Sequence, residues 1–343
     1  MEFHEVTSDL QTYRTAIEIA GGDFWKIQAG VTVLSETGIG AHGAYTRSFT
    51  NFFNYGNLTA WQDFALAIDG PGMTAVNHGT MSGRGGVLIE NRAYFVNMGQ
   101  IVVWPSPGDT ERPGIKVVGE GARIVNDGEI EAEVALLSRG APVDFGNSGI
   151  LHGAVHLGDG NDAVTNAGAI EGEVLLGGGN DQYDGRGGTA LSVNGQGGRD
   201  TLIGGDGADF LVGGRGHDVV RGGGGDDTIV GCYGKDVLKG GDGFDTFVFA
   251  NLKAPDRIKD FAVGEDLIHL DNAALKGLGS EGGLAEDAFH PGSTATDDDH
   301  RIIYDPETGK LWYDRNGDHD GGVTKIANLA KGLDLTHEHF EII

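Results

Sequence analysis

A single cysteine, Cys232, excludes any internal disulfide, so the fold must be held by other means. No apolar run reaches the length of a membrane-spanning helix. The opening MEFHEVTSDLQ has no basic segment followed by an apolar one, so no ordinary secretory signal is read there. Positive charge is scarce: 24 Lys and Arg stand against 51 Asp and Glu, a net charge of −27 that argues against nucleic-acid binding through a basic surface. Proline occurs only 8 times, and the 62 glycines lack the G-X-Y period of collagen. The zinc-protease H-E-x-x-H, the G-x-S-x-G of lipases and the phosphate loop G-x-x-x-x-G-K-[ST] are all missing. His337-Glu338-His339 has the wrong spacing to place two histidines on one helical face. So much glycine and charge suggests disorder, but 39% of the residues are apolar and they recur in register.

That register is clearest from Gly195 to Val248, where six nine-residue rows follow one another: GQGGRDTLI, GGDGADFLV, GGRGHDVVR, GGGGDDTIV, GCYGKDVLK and GGDGFDTFV. The template is G-G-x-G-x-D-x-U-x, with U a large apolar residue; only Gln196 and Cys232 depart from it, each at the second glycine. Cys232 reads as the occupant of a small-residue slot rather than a redox group. Glycines permit a tight turn with inward carbonyls, and the sixth position always supplies a carboxylate. The apolar eighth position (Leu202, Leu211, Val220, Ile229, Leu238, Phe247) belongs to a short strand. Carbonyl and carboxylate oxygens in a flexible turn suit Ca2+ better than Zn2+ or Mg2+.

These rows resemble the nonapeptide of the repeats-in-toxin (RTX) family, a calcium-binding β-helix repeat. The resemblance implies a parallel β-roll in which two rows make one coil and Ca2+ sits between turns two rows apart. Asp200, Asp218 and Asp236 then form one ladder, and Asp209, Asp227 and Asp245 a second. Asp162 and Asp181, in LGDGNDAVT and LGGGNDQYD, extend the first ladder upstream at a spacing of 19. The carbonyls of Gly205, Gly207, Gly214, Gly216, Gly223 and Gly225 are candidate co-ligands. Counting gaps between stacked turns gives about six Ca2+ ions. Without metal, stacked carboxylates would repel one another and oppose folding.

Such an array calls for roughly 10⁻⁴ to 10⁻³ M Ca2+, which the cytosol lacks. The family implies export from a Gram-negative bacterium by a one-step type I exporter that reads a C-terminal signal. The terminal His-Phe-Glu-Ile-Ile resembles such signals.

Four regions are expected: an N-terminal cap or first coil over 1–50, a parallel β-solenoid over 51–156, the calcium roll over 157–248 and a C-terminal flanking domain over 249–343. In the first, Asp23 to Leu34 alternates like a strand after Gly21-Gly22, and Phe49, Phe52 and Phe53 are expected to pack under the first coils. In the second, N-x-G-x-[apolar] recurs at Asn54, Asn77, Asn97, Asn126 and Asn166, with a near copy at Asn147. Asparagines in register can ladder their amides between layers. This resembles the solenoids of bacterial surface proteins, and Pro105 to Gly114 reads as a loop inserted at one turn. The alternative is a generic all-β domain with turn asparagines.

After the roll, Asp256 to Leu270 resembles the segment that follows the array in serralysin-type proteins. Arg301–Tyr304 and Lys310–Tyr313 flank a turn and predict a hairpin. Asp314 to Gly321 reads as a solvated acidic turn, since Lys325 falls where an EF-hand places its bidentate glutamate. Glu281 to His300 reads as loop. The expectation is an all-β protein: a right-handed parallel solenoid continuing into a calcium roll, secreted, structural or adhesive, with a surface glycan or matrix as partner. The alternative is a polysaccharide lyase or epimerase using Arg84, Arg92, Arg123, Asp127 or His152, which qualify by residue type alone. His152 and His156, four apart, read as surface histidines.

Overall fold

The structure, a computed structural model, describes residues 3–12, 17–19, 24–35, 41–43, 51–68, 72–104, 112–319 and 321–343. Asp23, Phe49, most of the 105–114 loop and Asp320 therefore lie outside the described residues. The chain is an all-β parallel solenoid of about 11 turns. Among the described residues there is no α-helix, only the single 3-10 turns Glu286–Ala288 and His337–His339. It forms two compact units, residues 1–191 and 192–343.

In the first unit, one sheet runs in parallel register through Phe3–Val6, Phe24–Ile27, Asn51–Asn54, Thr74–Asn77, Ala93–Asn97, Ala122–Asn126, Val143–Asn147, Ala163–Asn166 and Gln182–Asp184. Among the described residues, coils are thus already present at Phe3–Val6, upstream of the first asparagine. A second parallel sheet closes the coils through strands such as Asn57–Ile68, Thr80–Ile89, Glu129–Ser138 and Ile150–His156. Alternation sends every second residue inward. Leu58, Met81, Ile101, Ile130 and Leu151 stack one above another, fully buried, with Phe95, Ile124 and Phe145 from the other sheet. Each such burial stabilises by about 1.5–3 kcal/mol, repeated coil after coil. Phe52 joins this core, but Phe53 points to the outer face and is only half-buried, because the two alternate along one strand.

At the end of each inner strand the asparagines form an amide ladder. Asn54, Asn77, Asn97, Asn126 and Asn147 each donate Nδ2 to Oδ1 of the next, ending on Asn166, every bond 2.8 Å long. All six are buried, so the ladder satisfies polar groups that water cannot reach. Gly79, two residues past Asn77, packs on the Gly56 backbone so closely that a Cβ would overlap it.

In the second unit, Thr201–Ile203, Val219–Gly224, Val237–Asp242 and Asp256–Ile258 form one parallel sheet. Phe210–Gly216, Thr228–Gly234, Thr246–Phe249, Leu267–Leu270 and Phe340–Ile342 form the other. The eighth-position residues Leu202, Leu211, Val220, Ile229, Leu238 and Phe247 are all 0% exposed. The expected hairpin is present as Ile302–Asp305 against Lys310–Asp314, and Val323–Asn328 adds a third antiparallel strand. The 281–300 stretch is not all loop: Phe289–Pro291 pairs with Ile302–Asp305, and Gly282–Gly283 with the C-terminal strand.

Candidate metal centre

Each nonapeptide turn ends by presenting its aspartate to the coil above. The backbone N–H of Asp200 donates to Asp218 Oδ1 at 2.9 Å, and that of Asp218 to Asp236 Oδ1 at 2.8 Å. On the other edge Asp209 N donates to Asp227 Oδ1 at 2.8 Å and Asp227 N to Asp245 Oδ1 at 3.0 Å. In the first unit Asp162 N donates to Asp181 Oδ1 at 2.8 Å, and Val143 N to Asp162 Oδ1 at 2.7 Å. The eight carboxylates expected from the sequence thus take equivalent places in their turns. All are buried except Asp209, the half-exposed top rung of its edge, whose Oδ2 accepts the Gly205 N–H at 2.6 Å.

Two rungs were not recognised from the sequence. Asp236 N donates to Asp256 Oδ1 and Asp245 N to Asp266 Oδ1, both at 3.0 Å. They stand 20 and 21 residues down the chain instead of 18, in coils without glycine rows.

One oxygen of each rung is thus occupied. The other, Oδ2 of Asp162, Asp218, Asp227, Asp236 and Asp245, is buried and has no hydrogen-bond partner. Burial pushes the carboxyls up, to about 6 for Asp162 and Asp245 and about 7 for Asp227. Asp209, Asp218 and Asp266 move the same way for the same reason. An ionised carboxylate here needs a counter-charge that the chain itself does not bring.

The first glycine of each row, lacking a side chain, lets these oxygens converge closely on it. A Cβ built on Gly213 would sit 2.8 Å from Asp218 Oδ2 and 3.0 Å from the Gly231 carbonyl oxygen. The same convergence recurs at Gly195 (Asp200 and the Gly213 carbonyl), Gly204 (Asp209 and the Gly222 carbonyl) and Gly222 (Asp227 and the Gly240 carbonyl). A small, all-oxygen, buried anionic cradle fits Ca2+.

The carbonyls at these cradles belong to first-position glycines, which the repeat pattern alone does not single out. Gly214, Gly216, Gly223 and Gly225 hold the turn, at φ of 104°, 145°, 129° and 93°. The Gly205 carbonyl accepts the Gly224 N–H at 3.0 Å, and Gly207 packs against Gly225 of the next coil. Gln196 and Cys232 occupy the same left-handed slot at φ 66° despite carrying side chains. Burial, with Asp236 nearby, pushes the Cys232 thiol up, away from a reactive thiolate.

The residues considered for catalysis lie on both sheets of the coils. Arg92 pairs with Glu120 at 3.3 Å and Arg123 with Asp144 at 3.5 Å, and both arginines line a groove of about 520 Å³ beside Tyr94. Asp127 accepts the Ser148 hydroxyl at 2.6 Å. On the other sheet Arg84 is exposed, and His152 is held between Glu171 at 2.8 Å and Glu129 at 2.9 Å, which favour its protonated form. His156 meets Glu173 at 3.3 Å. In the 314–321 turn, Asp298 and Asp318 surround the His319 ring at 3.0 and 3.1 Å, all three exposed.

Among the described residues no helix is long and apolar enough to cross a membrane. No curated protein matches the chain. Among solved structures it is similar to the AlgE6R3 subunit of the Azotobacter vinelandii mannuronan C5-epimerase, at 27% identity over 41% of this chain and 77% of that one, with a TM-score of 0.29. The family description of the RTX calcium-binding nonapeptide repeat, in four copies, matches residues 194–229 and 212–247. Residues 194–247 are therefore RTX calcium-binding nonapeptide repeats, wound as a parallel β-roll.

Proposed function

We propose that this is a secreted Ca2+-binding protein whose roll folds as Ca2+ enters the stacked turns, with a structural or adhesive role outside the cell. Asp162, Asp181, Asp200, Asp209, Asp218, Asp227, Asp236 and Asp245 would hold the ions, together with turn carbonyls. Bound Ca2+ supplies the positive charge that buried carboxylates lack. The observation that carries the reading is the set of buried Oδ2 atoms of Asp218, Asp227, Asp236 and Asp245, each without a hydrogen-bond donor and each beside the first glycine of its row.

The chain would leave the cell unfolded through a type I exporter, since cytosolic Ca2+ is too dilute to fill such turns. Its terminal strand Phe340–Ile342, which holds most of the segment resembling an export signal, is paired and its two apolar side chains are buried. Access by an exporter would thus precede folding. We assign the chain no catalytic centre of its own, and its partner outside would be a surface glycan or matrix met by the solenoid flank.

Far-UV circular dichroism during Ca2+ titration from EGTA, with Mg2+ as control, tests this. The expected result is a cooperative gain of β signal towards millimolar Ca2+ that Mg2+ does not reproduce. An unchanged spectrum in EGTA would sink the coupling of folding to Ca2+. Epimerisation or depolymerisation of an acidic polysaccharide by the purified chain would overturn the non-enzymatic assignment.

A further inference from the structure

We propose that Trp61, Arg84 and Trp104 form a binding site for a uronate-bearing glycan on the outer face of the asparagine-ladder coils. The inference rests on the reading of a surface glycan as partner, and gives that partner a chemical class and a place.

Three successive coils bring these side chains together. Ala60, Gly83 and Val103 stand opposite one another in parallel register, and the residues that follow them are Trp61, Arg84 and Trp104. The Trp104 N–H donates to the Gly83 carbonyl at 2.7 Å, which carries the pairing past the end of its strand. Arg84 lies between Gly83 and Gly85, so no neighbouring side chain of its own coil keeps the two indoles apart. They meet edge to face, with ring centroids 5.6 Å apart and planes at 80°. Arg112 donates to the Gln62 carbonyl and fixes the backbone next to Trp61.

This aromatic corner is left in water. Trp61 is 56% exposed, although an indole is among the side chains that gain most from burial. The strip beside it is polar: the Thr59 and Ser82 hydroxyls lie 3.0 Å apart, and Asn57, Thr80 and Gln100 stand in register across the same three coils. A protein interface would extend the indoles into an apolar core, and none continues here. A pyranose ring matches the surface better, because its C–H face stacks on an indole while its hydroxyl edges need donors and acceptors alongside.

Arg84 selects the charge of that sugar. It is exposed, and among the described residues no carboxylate pairs with it, in a chain with 51 acidic residues against 24 basic ones. Arg92 and Arg123, on the other sheet, are by contrast paired with Glu120 and Asp144. A guanidinium takes a carboxylate through two parallel N–H bonds, which a ring-borne carboxylate can offer while the ring stacks. Glu131, opposite Val102 on the following coil, repels further negative charge and bounds the site on that side.

Isothermal titration of the full chain in millimolar Ca2+ tests the assignment, with three probes of equal length: an oligogalacturonate, its carboxyl-reduced neutral counterpart and a sulfated oligosaccharide. The oligogalacturonate is expected to bind best. Trp61→Ala and Arg84→Gln should each weaken it by about tenfold, while Arg92→Gln matches wild type. Arg84→Gln should also narrow the preference for the acidic sugar over the neutral one. Undiminished binding in both Trp61→Ala and Arg84→Gln would overturn the site and leave the glycan to be met elsewhere on the chain. A neutral or sulfated probe bound as tightly as the oligogalacturonate would overturn the assigned chemistry. A wild-type chain that binds none of the three would remove the reading on which the site rests, and the site with it.

Discussion

Replacing Asp227 by asparagine should change stability in opposite directions with and without Ca2+. The carboxyl sits in the middle of its ladder: Oδ1 accepts the Asp209 N–H at 2.8 Å, and the buried Oδ2 has no partner. Burial raises its pKa from 3.8 to about 7. The folded state therefore prefers the protonated acid, and ionising it above neutrality opposes the metal-free fold. A tenfold change in proton affinity is worth about 1.4 kcal/mol, so that opposition is on the order of 4 kcal/mol. Asparagine keeps the Oδ1 acceptor, carries no charge, and puts an N–H beside the Gly240 carbonyl, which lies 2.7 Å from the Cβ position of Gly222. In EGTA the variant should be the more stable protein by a few kcal/mol.

In saturating Ca2+ the sign reverses, because Asp227 faces a turn on each side. Two sites weakened at about a hundred-fold excess of ion over Kd would remove up to roughly 2.7 kcal/mol apiece. Urea midpoints followed by circular dichroism, above neutral pH, in EGTA and in millimolar Ca2+, give both signs. Sucrose can be added equally to every sample to keep the metal-free wild type measurable. A shift of the same sign in both buffers would refute the reasoning.

Acid should partly replace the metal. With Asp162 and Asp245 at about 6 and Asp227 at about 7, against 3.8 for the ordinary carboxyl, the metal-free fold is fully favoured below the unfolded value. That advantage is lost as pH rises through 6 to 7, so acidifying the chelated chain from above neutrality to about pH 5 should add β signal, and a flat titration would contradict it. Gln196→Gly and Cys232→Gly relieve side chains held at φ 66° and should each raise the urea midpoint in Ca2+ by about 1 kcal/mol of stability. Gly225→Ala should destabilise by several-fold more than Gly207→Ala, although both hold the fourth position of their rows. A Cβ on Gly225, at φ 93°, would meet the Gly207 backbone at 2.6 Å, whereas one on Gly207 meets nothing within 4 Å. Equal losses in urea melts would show that coil stacking does not select these glycines.

The legible parts of the sequence were those in which one short motif recurs. Aspartates 18 or 19 apart announce a ladder because coils of nearly fixed length return the same residue to the same corner; the asparagines, 19 to 29 apart, are recognised by the glycine two residues after each. Asp256 and Asp266 escaped notice because coils of 20 and 21 residues reach that corner without the full glycine row: no glycine precedes Asp256 in its turn, and Gly264 alone precedes Asp266. The coils before Asn54 were hidden for a related reason: Ile27 stands opposite Asn54 in register and is fully buried, so the ladder position carries an apolar residue there. The outward turn of Phe53 was not legible from its neighbours, since an aromatic cluster does not reveal which member faces the core. Which carbonyl faces each carboxylate depends on turn conformation, which identical glycines in a row do not distinguish.

Two kinds of ladder therefore run through one architecture, and their chemistry differs in what it demands. An amide both donates and accepts, so Asn54 to Asn166 close on one another at 2.8 Å and need nothing from outside. A carboxylate only accepts: it takes one backbone N–H and leaves a second oxygen facing a cradle. Metal dependence should follow that division along the chain. In EGTA, amides of the asparagine coils, such as those of Ala93–Asn97 and Ala122–Asn126, should stay protected from hydrogen exchange. Amides of Val219–Gly224 and Thr228–Gly234 should exchange freely until Ca2+ is restored. Uniform loss of protection in both sets on chelation would mean that the amide ladder cannot stand alone, and that the roll carries the stability of the coils that precede it.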